Sequence, residues 1–333
     1  MNFKNRVALV TGGAGFVGSN LVDALLRNKC EKVIIFDNFA TGFAYNIPHL
    51  ENDDQVEIIR GDILDFESLD RQVAKADLIF HQAAQLEIIK ATENPVEDLR
   101  INTLGTLNVL ISAKKYDIKK LVYASSGGVY GQAKYVPIDE KHPTRAQWSY
   151  GVSKLAGEQY CIQFYELYGL PTVSLRYSIV YGNREWYGRV LTIFVKNALE
   201  NNSLSIFGDG KQTRDFIDVR DVTEANLLAA TEKNADGEIF NIASGIGFSV
   251  EDLCKLVLEQ TNKTNLQILH EDPKPGEKGR KLGELREFIL SIEKAKKILG
   301  FSPKIDFKKQ GLREYIDWVA QNKDKFWTYK MRV

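Results

Sequence analysis

The sequence predicts an α/β protein: an open, doubly wound parallel sheet with helices on both faces, joined to a smaller mixed α/β lobe. Two observations carry this. Short apolar runs alternate with helical patterns through the first half of the 333-residue chain, as in strands linked by crossover helices. The first run, Arg6-Val7-Ala8-Leu9-Val10, leads straight into Thr11-Gly12-Gly13-Ala14-Gly15-Phe16-Val17-Gly18, a glycine-rich turn opening a helix, and the next run ends in Asp37. In order, strands are expected at 6–10, 32–36, 56–60, 77–81, 120–125 and 172–177, with helices at 16–28, 66–75, 96–115 and 150–168. From 178 the pattern is less regular. A turn falls at Gly208-Asp209-Gly210, a helix at 222–231, a strand at 238–242 and a helix at 250–260; a loop covers 271–279, and a helix from Ser291 to Leu299 stops at Gly300.

The 44 Lys and Arg residues balance 44 Asp and Glu, so the chain lacks the basic footprint of a nucleic-acid binder. No apolar run approaches the roughly 20 residues of a membrane span. The five residues before the first strand leave no room for a signal peptide. Cys30, Cys161 and Cys254 are scattered without metal or redox spacing. The expectation is a soluble, cytoplasmic enzyme with no metal and no membrane or nucleic-acid partner.

The glycines are spaced Gly12-x-x-Gly15-x-x-Gly18. Gly12 allows a tight turn, Gly15 lets a pyrophosphate approach the backbone, and Gly18 lets the helix pack closely on the sheet. Free N–H groups at the helix start supply an anion site. With strand, helix and Asp37 in register, the expected ligand is a nicotinamide dinucleotide.

Tyr150 precedes Lys154 by four residues at the start of a helix, which stacks phenol and ammonium on one face. A nearby cation stabilises a phenolate and lowers its pKa; taken alone, the pair also fits a solvated helix face. The run Leu121-Val122-Tyr123-Ala124-Ser125-Ser126 ends in two hydroxyls at the strand end where open α/β sheets collect function. Ser126 could donate a hydrogen bond to an oxygen gaining carbonyl character, or simply form the turn before Gly127. His81 reads as a packed structural residue.

The three glycines, Asp37-Asn38, Gly61-Asp62, His81-Gln82-Ala83-Ala84-Gln85, Asn102, Ser125-Ser126, Tyr150-x-x-x-Lys154, Arg176-Tyr177, Val180-Tyr181-Gly182 and Gly208-Asp209-Gly210-x-x-x-Arg214-Asp215-Phe216 follow one another in order. Together they resemble the extended short-chain dehydrogenase/reductase family, the branch acting on nucleotide-diphosphate sugars, and among its members most closely the UDP-glucose 4-epimerases. The resemblance implies a Rossmann-type NAD-binding domain from 1–177 plus about 213–243, and a nucleotide-sugar lobe from 178–212 and 244–333. It implies cofactor contacts from Gly12, Gly15, Phe16, Val17, Gly18, Asp37, Asn38, Asp62, Ile63, Ala83, Ala84, Gln85, Asn102, Tyr150 and Lys154. Within that set Asp37 would hold the adenine ribose, favouring NAD over NADP, and Asn102 would support the catalytic helix. Tyr150 would be general base, Lys154 its electrostatic partner, Ser126 the oxygen-orienting hydroxyl, and Arg214 the grip on the substrate diphosphate.

Related 4,6-dehydratases carry an Asp-Glu pair after the catalytic hydroxyl, and related decarboxylases keep a glutamate there; this chain has Gly127 and Gly128. The implied reaction is NAD-dependent C4 epimerisation of a nucleotide-diphosphate sugar, with 4,6-dehydration, net 4-oxidoreduction and a non-catalytic NAD-binding role as alternatives. Ile179 replaces an asparagine found in many relatives, and Lys274-Pro275-Gly276-Glu277 replaces an Arg-x-Gly-Asp. A second diphosphate contact is therefore expected at Lys274, or at Arg280 or Arg286. The segment 183–189 is expected to cover substrate, or to be an exposed polar loop. A homodimer through the helices of Asn102 and Tyr150 also follows from the resemblance.

Overall fold

The computed structural model describes residues 3–185, 188–272 and 285–323. Its strands are β1 (Val7–Thr11), β2 (Lys32–Asp37), β3 (Val56–Arg60), β4 (Leu78–His81), β5 (Lys120–Ser126), β6 (Thr172–Tyr177), β7 (Ile179–Tyr181), β8 (Leu204–Phe207), β9 (Thr213–Asp218), β10 (Ile239–Ile242), β11 (Gly247–Ser249) and β12 (Ile268–Glu271). The helices are α1 (Phe16–Arg27), α2 (Phe66–Val73), α3 (Ile88–Glu93), α4 (Pro95–Leu99), α5 (Gly105–Lys115), α6 (Ser149–Tyr168), α7 (Val190–Leu199), α8 (Val219–Thr231), α9 (Val250–Gln260), α10 (Glu293–Leu299) and α11 (Leu312–Gln321).

Seven strands form one parallel sheet in the order β10-β6-β5-β4-β1-β2-β3. The apolar runs of six of them are buried on both faces, as a helix-covered parallel sheet requires, while β3 at the edge is half-buried. Strand order reverses between β1 and β4, which opens a crevice at the carboxyl ends there. Thr11 pairs with His81 and His81 with Tyr123, so β1, β4 and β5 bring their ends to that crevice together.

A smaller body holds the three-stranded sheet β11-β9-β7 and the pair β12-β8. Its core joins Tyr181, Phe194, Phe216, Leu253, Leu312 and Tyr315. The chain passes between the bodies repeatedly. Successive β9 residues serve both, Phe216 in the smaller core and Ile217 in the larger, while Ala295, Leu299 and Phe301 return to the larger one.

The strands and helices read in the first half are present, with ends shifted by a residue or two. One expected helix, 96–115, is instead α4, a π turn over Arg100–Leu104, and α5. Asn102 is the middle residue of that turn, and such turns gather at functional sites. Beyond 178, β7, β8, β9, β11, β12 and α7 had no sequence signal read for them. Most of these strands mix polar and apolar residues without a continuous apolar run, and α7 is apolar along most of its length. Gly300 ends α10 in a left-handed conformation, φ 66°, as expected. Among the described residues, no helix is long and apolar enough to cross a membrane, and no cluster of His, Cys, Asp or Glu could hold a metal.

Candidate active site

The crevice continues into a cleft of about 1240 Å³ between the two bodies. That exceeds the roughly 300–1,000 Å³ of a single small-ligand pocket and has room for two ligands side by side. Gly12, Gly15, Phe16, Val17, Gly18, Asp37, Asn38, Asp62, Ile63, Ala83, Ala84 and Gln85 line one end. Ser126, Gly128, Trp148, Tyr150, Lys154, Arg189, Arg214 and Phe288 line the rest.

The glycine-rich turn is dictated by close approach. Gly12 has φ +70°, and a Cβ there would lie 2.7 Å from the Ala83 nitrogen; a Cβ on Gly18 would lie 2.0 Å from the Gly12 oxygen. A Cβ on Gly15 would lie 3.1 Å from the Gly12 oxygen, and Gly15 lines the cleft. Asp37 closes this end: its carboxylate accepts from the backbone N–H of Ala14 at 2.9 Å and of Phe39 at 2.8 Å. Burial pushes its pKa up, and those two donors oppose the shift. Asn38 donates to Asp62 at 2.9 Å, joining the β2 and β3 ends at the cleft edge.

A buried relay fixes the loop after β4. Burial and the Lys154 charge push the His81 pKa down to about 3, so the ring is neutral. Thr106 donates its hydroxyl proton to the Asn102 carbonyl and therefore accepts from His81 Nε2 at 3.0 Å. His81 Nδ1 then accepts from Thr11 at 2.7 Å, whose oxygen accepts from the Ala83 N–H at 3.3 Å. The histidine is structural, as the sequence suggests, and it positions a cleft-lining backbone.

Asn102 is fully buried and does not line the cleft, contrary to its expected place among the cofactor contacts. The π turn aims its amide behind Gln85. Oδ1 accepts from the Gln85 N–H at 2.8 Å, and Nδ2 donates to the Gln85 carbonyl, to Asp98 and to Ser153 Oγ. It thus ties the loop after β4 to α6, which carries Tyr150 and Lys154.

Helix α6 enters tightly over the turn after β5. A Cβ on Gly151 would lie 2.6 Å from the Gly128 oxygen. This seats Tyr150 against Ser126, whose hydroxyl hydrogen-bonds the phenol and accepts from the Gly128 N–H at 3.1 Å. Burial raises the Tyr150 pKa, while the Ser126 hydrogen bond and the Arg189 charge pull it down. This corrects the expectation that Lys154 lowers it: desolvation dominates, and the Lys154 ammonium lies 4.6 Å above the Tyr123 ring. Lys154 is itself buried, which brings its pKa down to about 8.

Arg214 reaches the cleft from β9, anchored by donation to the Thr213 and Leu285 carbonyls at 2.8 and 2.7 Å. Lys274 and Arg280 lie outside the described residues. Arg286 is drawn to Asp209 at 2.8 Å. Among the cleft residues that the sequence did not single out, Arg189, at the head of α7, donates to the Val180 carbonyl at 3.3 Å. Its signal was a lone arginine in the 183–189 segment, with no motif around it.

The model of the NAD-dependent epimerase/dehydratase family matches residues 8–243. A protein of Methanocaldococcus jannaschii provisionally named a UDP-glucose 4-epimerase is 42% identical over 94% of this chain and 98% of its own length. A UDP-N-acetyl-alpha-D-glucosaminuronate decarboxylase of Bacillus cytotoxicus is 35% identical over 94% of this chain and 97% of its own. The crystal structure of Thermotoga maritima UDP-glucose 4-epimerase with UDP-glucose superposes with a TM-score of 0.86 at 34% identity, covering 95% of this chain and 99% of that one. The glycine turn without room for side chains and the Asp37 end of the cleft fit the dinucleotide such a family requires. With a family model across most of the chain and relatives aligned over nearly all of it, the chain belongs to the NAD-dependent epimerase/dehydratase family and NAD is its cofactor.

Proposed function

We propose that the chain is a nucleotide-sugar 4-epimerase, acting on a UDP-hexose through a transient 4-keto sugar. The observation that carries the reading is what surrounds the Ser126–Tyr150 pair. A side chain on Gly128 would begin 3.3 Å from Ser126 Oγ and 4.0 Å from Tyr150 Cδ1. Elimination of water would need a further acid and base there, and Gly127 and Gly128 supply neither. The relatives named 4-epimerases support the same reading.

NAD, when bound, supplies a reversible hydride acceptor. Tyr150 as phenolate takes the C4 hydroxyl proton, and Ser126 donates a hydrogen bond to that oxygen as it becomes a carbonyl. Lys154, buried at the cleft as an ammonium, would hold a cofactor ribose hydroxyl. Turning of the 4-keto sugar before Tyr150 returns the proton inverts C4. Arg214 of β9 and Arg189 at the head of α7, both at the same cleft, hold the substrate diphosphate, for which a guanidinium fork is suited. The larger sheet serves the cofactor and the smaller body the nucleotide sugar.

Purified protein given UDP-galactose, UDP-N-acetylgalactosamine or UDP-glucuronate with no added NAD is expected to form the C4 epimer of at least one, resolved chromatographically. A dehydrated, decarboxylated or accumulating 4-keto product in place of an epimer rejects the reading.

We also propose a homodimer. Val96, Leu99, Leu104 and Ile111 on the α4–α5 stretch and Val152 and Leu167 on α6 are exposed apolar side chains on neighbouring helices. Such a patch marks an association surface, and two copies meeting there would pair four helices. Leu99→Glu with Val152→Lys is expected to halve the mass in sedimentation analysis; an unchanged mass rejects this interface.

A further inference from the structure

Between β7 and α7, residues 183–185 are held from both sides. Arg184 has a left-handed backbone, φ +74°, which costs a residue with a Cβ free energy and persists where neighbours enforce it. Its Nη2 donates at 2.7 Å to Asp23 of α1, 161 residues away, in a largely buried ion pair. One position earlier, the Asn183 carbonyl accepts from Asn20 of the same helix at 3.0 Å. That helix starts at the glycine-rich cofactor turn.

Glu185 points the other way. It is 1% exposed in the smaller body. It hydrogen-bonds the Tyr315 hydroxyl of α11, which pairs in turn with Thr192 of α7 at 2.9 Å, and its Oε2 is buried without a hydrogen-bond partner. Burial pushes its pKa up to about 7, and the Arg189 charge opposes the shift. Four residues on, Arg189 stands at the cleft.

We propose that Arg184 and Glu185 are positioning residues forming a two-sided anchor. Arg184 fixes the segment to the cofactor helix α1, Glu185 fixes it to α11, and together they set the place of Arg189 in the substrate-diphosphate site. The inference rests on reading Arg189 as a diphosphate contact. Neither anchor residue touches the reacting atoms; their effect passes through Arg189.

The test is calorimetric titration of the NAD-loaded protein with UDP, and with dTDP in parallel, using the tighter ligand throughout. Asp23→Asn, Arg184→Met and Glu185→Gln are expected to weaken it on the order of 10-fold each. The doubly substituted Asp23→Asn/Arg184→Met protein should bind no more weakly than either single variant, because the two side chains reach the segment through one contact and the other Asp23 partner, His49 at 2.8 Å, lies outside it. In turnover the singles should raise KM and leave kcat within about twofold, a split that general loosening would not produce. Asp23→Asn and Glu185→Gln keep side-chain shape, so they remain informative if Arg184→Met folds poorly. Arg189→Met calibrates the site. If it binds as tightly as wild type, the diphosphate reading of Arg189 fails. If Arg189→Met is weak while Asp23→Asn and Glu185→Gln bind like wild type, the anchor is overturned and that reading stands.

Discussion

Replacing Tyr150 with phenylalanine is expected to lower kcat by about 10²–10⁴-fold, the usual contribution of a positioned general base, with bound NAD and the thermal transition unchanged. The phenol oxygen is the only atom removed, and its neighbours explain why nothing else can stand in. Ser126 is a hydroxyl with no base of its own beside it, since the following residues are Gly127 and Gly128. Lys154 is buried, with its ammonium over the Tyr123 ring. The fold should survive because Gly151, not the phenol, sets the approach of α6 to the turn after β5. The measurement is steady-state turnover of the nucleotide sugar, with NAD released by denaturation and counted. Retention of more than a tenth of wild-type kcat would remove Tyr150 from the role of base.

The largest stability effect is expected away from the chemistry, at Arg176. Its guanidinium meets Glu158 in a fork, Nη2 to Oε1 at 2.5 Å and Nε to Oε2 at 2.9 Å, and Glu158 also accepts from Ser125 at 2.7 Å. Both charged residues are buried, and the guanidinium lies 4.7 Å from the Tyr130 ring centre. Removing one partner leaves an uncompensated buried charge, so Arg176→Met should cost about 3–5 kcal/mol. Replacing both partners with methionine should cost less than that single change, because two apolar side chains of similar volume carry no desolvation penalty. Equilibrium urea unfolding of the two variants decides it: a single variant within about 1 kcal/mol of wild type, or a double variant weaker than the single, contradicts the argument. Ser125 precedes Ser126, so the damage from the single change should also reach the site and appear in kcat.

Much of this was legible in the chain. The alternation of apolar runs and amphipathic stretches is a local property, and it located the first six strands of the large sheet and the helices between them. Gly12 and Gly18 were readable because turns without room for a Cβ accept only glycine. The places of Tyr150 and Lys154 on a helix start and of Ser126 at a strand end were readable because such spacing is local; their catalytic roles belong to the proposal. His81 was correctly taken as packing, although its relay from Asn102 to Ala83 could not be seen.

What the tertiary structure alone decided shares one physical origin: it depends on side chains that meet across long stretches of chain. Asn102 moved behind the cleft wall because a π turn, invisible to a 3.6-residue period, rotates its amide toward Gln85 and Ser153. Tyr150 has a raised pKa, where spacing with Lys154 predicted a lowered one, because desolvation is set by everything packed around the phenol. Arg189 gained meaning only when α7 delivered it to the cleft, and Arg184 only when the fold brought Asp23, 161 positions earlier, against it. Periodicity and turn chemistry are written residue by residue; burial, charge pairing and the convergence of distant elements exist only once the topology has folded them together.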